Sequence, residues 1–145
     1  MASRALATAD EAVATPVSTV MVQNLPIRAT THEFVRHLDD LGFKGQYDFV
    51  HLPRDPRTRQ QKGFGFVNLV DEQTAARLMQ VITGTQLARS RGTSAKKLTA
   101  KPAYRQGCEA QMAALRAASD KAGRAALTGL PWVRGLDGEM TEVHL

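Results

Sequence analysis

Cys108 is the only cysteine in 145 residues, so no disulfide can form within the chain and a thiolate zinc site would lack its other sulfurs. That shortage fits a reducing compartment. No apolar run approaches the roughly 20 residues that a membrane-spanning helix needs, and the N-terminus lacks the apolar block of a secretory signal. The expectation is an intracellular chain, nuclear or cytoplasmic, with no membrane partner. Residues 1–17 are rich in Ala and Thr, and Asp10 and Glu11 weigh against a transit peptide, so this stretch reads as a disordered leader. His32, His37, His51 and His144 show no metal-ligand spacing with a carboxylate or thiolate nearby. No metal or other cofactor is expected. Ser, His and acidic residues are all present, yet no nucleophile motif stands on a strand-to-helix turn, so no catalytic residue and no enzymatic activity are expected. From Gln73 through Cys108 acidic residues are missing altogether, while Arg77, Arg89, Arg91, Lys96, Lys97, Lys101 and Arg105 all fall inside that interval. The charge is patterned.

Aromatics make up only 6% of the chain, so where they gather matters. Two lie in Lys62-Gly63-Phe64-Gly65-Phe66-Val67-Asn68-Leu69. Read as a strand, this stretch turns Lys62, Phe64, Phe66 and Asn68 one way and Gly63, Gly65, Val67 and Leu69 the other. One face is basic and aromatic. The opposite face is small and apolar, and its two glycines would let a helix cross closely beneath. With the register inverted, Gly63, Gly65 and Val67 would turn outward and leave the core side underfilled, so the rings are assigned to the open face. Flat rings beside a cation suit stacking on unpaired bases, since every base has a π-face and every nucleotide a phosphate. A net charge of +5 and a pI near 9.8 favour an acidic partner of that kind.

The rest of the chain supplies a setting for that strand. Thr19 to Leu25 alternates and stops at Pro26, which reads as a first strand with Val20 and Val22 inward and Met21 and Gln23 on the open face. Thr30 and Glu33 have capping-box spacing, and Phe34, Leu38 and Leu41 recur at helical spacing before Gly42. Gln46 to Leu52 predicts a second strand, followed by a basic, proline-broken loop carrying Arg54, Arg57 and Arg59. Asp71 caps a second helix with Ala75, Leu78, Met79 and Ile82 on one side, ending at Gly84. Thr85 to Ala95 reads as a loop. Lys97 to Ala103 reads as a fourth strand, with Leu98 and Ala100 inward and Thr99 and Lys101 outward. Glu109 to Ala122, with Cys108, Met112 and Leu115 on one side, predicts a third helix. Residues 123–145 read as an irregular tail around Trp132, which folds back on its own domain, stays mobile or anchors a protein partner.

The order is therefore βαββαβ, an α+β, ferredoxin-like arrangement: a four-stranded antiparallel sheet with two helices on one face, plus a C-terminal helix. That order alone carries no function. Lys62 to Leu69, however, resembles the eight-residue motif of the RNA recognition motif family, basic-Gly-aromatic-Gly-aromatic-aliphatic-x-apolar, on the third strand where that family carries it. Val20 to Leu25 resembles the companion six-residue motif on the first strand. Met21 stands where the family usually places a stacking ring, and Leu69 stands where its motif often ends in an aromatic. Gly45-Gln46-Tyr47-Asp48-Phe49, Leu52-Pro53-Arg54-Asp55 and Arg105-Gln106-Gly107 further resemble the Mei-two-like branch of that family, over roughly Ser18 to Arg116.

The resemblance implies a domain over residues 18–106, a helix over 107–122 and single-stranded RNA held across the sheet, in a monomer serving post-transcriptional, meiotic or developmental regulation of messenger RNA. Phe64 and Phe66 would stack bases, with Met21 as a soft apolar contact. Lys62, Lys96, Lys97, Lys101, Arg54, Arg57 and Arg59 would hold phosphates, Lys62 and Lys101 foremost, and Gln23 and Asn68 would meet base edges. The third helix either extends this surface, gates it or stays solvated. The rival reading is a protein-interaction domain that binds a peptide through the sheet, the third helix or Trp132. A weaker one is a small hydrolase of the acylphosphatase type, which would need a glycine-rich cradle that Asn24-Leu25-Pro26-Ile27-Arg28 does not offer.

Overall fold

The computed structural model describes residues 16–55, 57–58, 60–89, 92–122 and 130–143, with the backbone alone at 119–122. The Thr30 hydroxyl accepts the Glu33 amide at 3.0 Å and the Glu33 carboxylate accepts the Thr30 amide at 3.0 Å. This closes the capping box and starts α1, Thr31–Leu38; a cap of this kind is typically worth about 1 kcal/mol. A short π-turn over Asp39–Phe43 follows, and Gly42 at φ +97° supplies the left-handed residue that ends it. Asp71 accepts the Thr74 amide at 2.7 Å and starts α2, Glu72–Ile82. Both helix starts lie where the sequence puts them.

The strands are β1 (Thr19–Gln23), β2 (Tyr47–His51), β3 (Phe64–Leu69), β4 (Gln86–Arg89), β5 (Gly92–Lys97), β6 (Thr99–Pro102), β7 (Trp132–Arg134) and β8 (Met140–Glu142). Six of them form one antiparallel sheet in the order β6-β1-β3-β2-β7-β8, and β4 and β5 form a separate hairpin. The fold is the ferredoxin-like α+β arrangement, with α3 (Cys108–Ala122) following β6. Val20, Val22, Val50, Val67 and Leu69 project from the sheet to meet Phe34 and Leu38 of α1 and Ala75, Leu78 and Ile82 of α2, all buried in one core. This layer fixes the outward face by default.

Three local expectations are corrected. Over Thr85 to Ala95 a hairpin stands in place of a loop, because Leu87 is buried in the core and Arg89 reaches back to the Arg28 carbonyl at 3.0 Å and to Glu33 at 3.5 Å. Within the stretch expected to be irregular, β7 pairs with β2 and β8 with β7, widening the sheet from four strands to six. The two glycines before and within β3 do not make room for a helix. Gly63 lies just outside the strand at φ +91°, a conformation that suits glycine. At Gly65 a Cβ would meet Leu52 Cδ1 at 2.9 Å and the His51 carbonyl at 3.3 Å, so the close neighbour is the end of β2.

Candidate nucleic-acid interface

Register assigns the open face residue by residue. Across β1 and β3, Thr19 faces Asn68, Met21 faces Phe66 and Gln23 faces Phe64; across β1 and β6, Met21 faces Lys101 and Gln23 faces Thr99. Phe64 and Phe66 are half-buried, their ring centroids 5.7 Å apart at 81°, so each presents ring surface to solvent while touching the other edge-on. Met21 is half-buried between Phe66 and Lys101. Gln23 is half-buried beside Phe64.

Asn68 is on this face, with its carboxamide engaged inside the chain. Its Oδ1 accepts the Ser18 hydroxyl at 2.8 Å and the Thr19 hydroxyl at 2.7 Å, and its Nδ2 donates to Asp48 Oδ1 at 2.8 Å. All three bonds are internal to the chain, and the residue itself is buried. Lys62 stands just before β3, where its amide donates to the Pro53 carbonyl at 3.0 Å, so it does not share the strand alternation expected of it. Its side chain is exposed, as are those of Lys97 and Lys101. Arg57 is exposed on the β2–β3 loop, which is shaped by Asp55: its carboxylate accepts the Arg57 amide at 2.8 Å and the Thr58 amide at 3.4 Å. Those two donors, Arg57's first, hold the Asp55 carboxyl below the usual carboxylate range. Arg59 and the leader up to residue 15 lie outside the described residues.

Two residues of the face do not follow from the motif. A bulge between Tyr47 and Phe49 shifts the β2 register, so Tyr47 faces Leu69 on the core side while Phe49 faces Asn68 and His51 faces Phe66 on the open side. Counting back from His51 rather than forward from Tyr47 would have found them. Unlike Phe64 and Phe66, both are covered: Phe49 is 0% and His51 7% exposed. The neighbouring strand contributes Val133, which faces Phe49, and α3 rises from this end of the sheet with Gln111 and Met112 buried. Burial, with Asp48 next in weight, pushes the Cys108 thiol up, so the first turn of α3 is near β2.

The root of α3 is fixed by Gln106. Its Oε1 accepts the amides of Ser18 and Thr19, both at 2.8 Å, and its Nε2 donates to the carbonyls of Thr19 at 2.9 Å and Ala103 at 2.7 Å. The Gly107 amide then donates to the Thr19 hydroxyl at 2.7 Å. α3 is thus rooted at the start of β1, and the column of Phe64, Phe66, Met21 and Gln23 stays partly open. Trp132 is on the other side of the sheet, packed on the core and edge-on to His32 at 4.6 Å.

Fold and face together define a ferredoxin-like α+β domain whose sheet carries a half-open aromatic column flanked by lysines. The family model described as RNA recognition motif 2 matches residues 17–116, and the chain belongs to that family of RNA-binding domains. It is similar to Protein MEI2-like 4 of Oryza sativa subsp. japonica, 30% identical over 67 residues, which are 46% of this chain and 7% of that protein. It is also similar to Meiosis protein mei2 of Schizosaccharomyces pombe, 32% identical over 69 residues, 48% of this chain and 9% of that protein. The alignments thus span less than a tenth of these relatives. Among solved structures, the Rna15 RRM with bound RNA (GU) superposes with a TM-score of 0.54 at 17% identity, over 70% of this chain and 99% of that one. At that identity the likeness concerns the fold.

Proposed function

We propose that this domain binds single-stranded RNA on the open face, by stacking on Phe64 and Phe66 and by phosphate contacts from Lys62 and Lys101, without catalysis. The observation that carries the reading is the pair of half-exposed rings at 5.7 Å, set on a strand between a methionine and a buried histidine, with cations at its margins. Rings that belong to the core are covered, as Phe34 and Phe43 are; two half-exposed rings side by side on an open sheet face are accounted for by a ligand that covers them. Gln23 forms no side-chain hydrogen bond with a described residue and is the polar group placed to meet a base edge. Met21 offers a soft apolar contact in place of a third ring. Similarity to a protein named Meiosis protein mei2 supports a meiotic setting for this reading, to which we add regulation of messenger RNA as the proposed role.

Replacing Phe64 and Phe66 by alanine tests the reading. Each truncation is expected to cost about 1 to 3 kcal/mol of binding, so the double variant should lose at least tenfold in affinity for a single-stranded RNA drawn from a random pool. Because both side chains face outward, its far-UV circular dichroism should match that of the parent. Unchanged affinity in a folded double variant would sink the stacking role.

A further inference from the structure

At the end of the face where β1 leaves the sheet there is a depression walled by three separate segments. Gln23, Asn24 and Ile27 come from β1 and the turn after it, Lys62 and Phe64 from the entry to β3, and Lys96 from the β4–β5 hairpin. Neither motif includes Ile27 or Lys96. We infer that this depression holds one further nucleotide of the bound strand, next to the one on Phe64, with Ile27 against its base or sugar and Lys62 and Lys96 on its phosphates. The inference rests on the reading of the open face as the RNA surface.

Four observations carry it. Ile27 is 48% exposed at the rim of a concave site, where an apolar side chain gains from being covered. Neither Lys62 nor Lys96 forms a salt bridge with a described acidic residue. The walls are tied to one another. Asn24 takes a left-handed conformation at φ +67° and donates its Nδ2 to the Lys97 carbonyl at 2.9 Å, which pins the hairpin to the β1 turn. The Leu25 amide donates to the Gly63 carbonyl at 2.9 Å and the Gln61 amide group donates to the Pro26 carbonyl, which pin the same turn to the entry of β3. A concavity held by bonds across three segments is preorganised, so filling it costs little ordering of the protein. Finally, Phe64 is both a wall of the depression and a proposed stacking platform, so a strand leaving that ring at this end passes directly over the cavity.

The test is an abasic scan of one single-stranded RNA selected from a random pool. Each base in turn is removed and affinity is measured for the parent chain and for Ile27→Ala combined with Lys96→Ala. In the parent, removal is expected to cost affinity at the bases stacked on Phe64 and Phe66 and, by about fivefold, at one adjacent position. In the double variant that third sensitivity should disappear while the first two persist. Lys44→Ala, which removes a charge at a separate cleft bounded by Tyr47 and Trp132, should leave all three sensitivities in place. Each single variant gives the same comparison with less change to the surface. No third sensitive position in the parent, or one that survives in the double variant, overturns the inference. A scan flat at every position would instead overturn the reading of the open face itself.

Discussion

Asn68 occupies a motif position on the open strand, yet its chemistry is that of a structural residue. Its carboxamide bridges two hydroxyls at the start of β1 and the Asp48 carboxylate at the β2 bulge, so it ties the central strand to both neighbours at the end where α3 is rooted. Removing one partner from such a network leaves the others unsatisfied, which costs more than the bond itself contributed. Asn68→Ala should therefore destabilise the fold by about 2 kcal/mol, read as a lower midpoint in urea. RNA affinity of the folded variant should stay within about twofold of the parent, since phosphate and stacking contacts do not involve this amide. A large affinity loss with unchanged stability would return Asn68 to the binding surface. Gln23, two positions along β1 from Met21 and facing Phe64, is the amide left for reading a base.

At the level of elements, what the sequence made legible follows from whether a signal is local. The capping box at Thr30, the N-cap at Asp71 and the alternation of Val20 and Val22 act within one turn or one strand, and they define α1, α2 and β1 as expected. The Phe64 and Phe66 pair was legible for the same reason. The bulge at Asp48 was not, because it depends on how β2 registers against β3, and it alone decides that Phe49 and His51 join the open face. β7 and β8 were not legible either. They are three-residue strands among glycines, and they exist because β2 offers an edge to pair with. That pairing places Trp132 edge-on to His32 and against the core, while Arg134 donates to the Tyr47 carbonyl from the same strand. Trp132→Ala is expected to lower stability by about 2 kcal/mol, below the ~3–5 kcal/mol of a fully buried tryptophan, and to leave RNA affinity unchanged. If it lowered affinity without lowering the melting temperature, the hairpin would have to be part of the binding surface.

For the whole molecule, the sheet has one closed face, one half-open face, and charge arranged around the open one. Helices α1 and α2 close the first, and Phe49 and His51 are buried at the β2 side of the second, so a ligand strand has the column from Gln23 through Phe66 and the β6 margin to follow. Lys62, Lys96, Lys97 and Lys101 are all exposed around that column, and none forms a salt bridge with a described acidic residue. Each of them that settles on a phosphate displaces counterions condensed on the RNA. With three or four of them on phosphates, the logarithm of affinity should fall against the logarithm of salt with a slope of about −2 to −3 for a single strand. Lys62→Ala combined with Lys101→Ala should make that slope shallower by about 1.4 and weaken binding to all sequences alike. A slope near zero in the parent would remove the phosphate contacts from the account and favour a peptide as the occupant of the aromatic column.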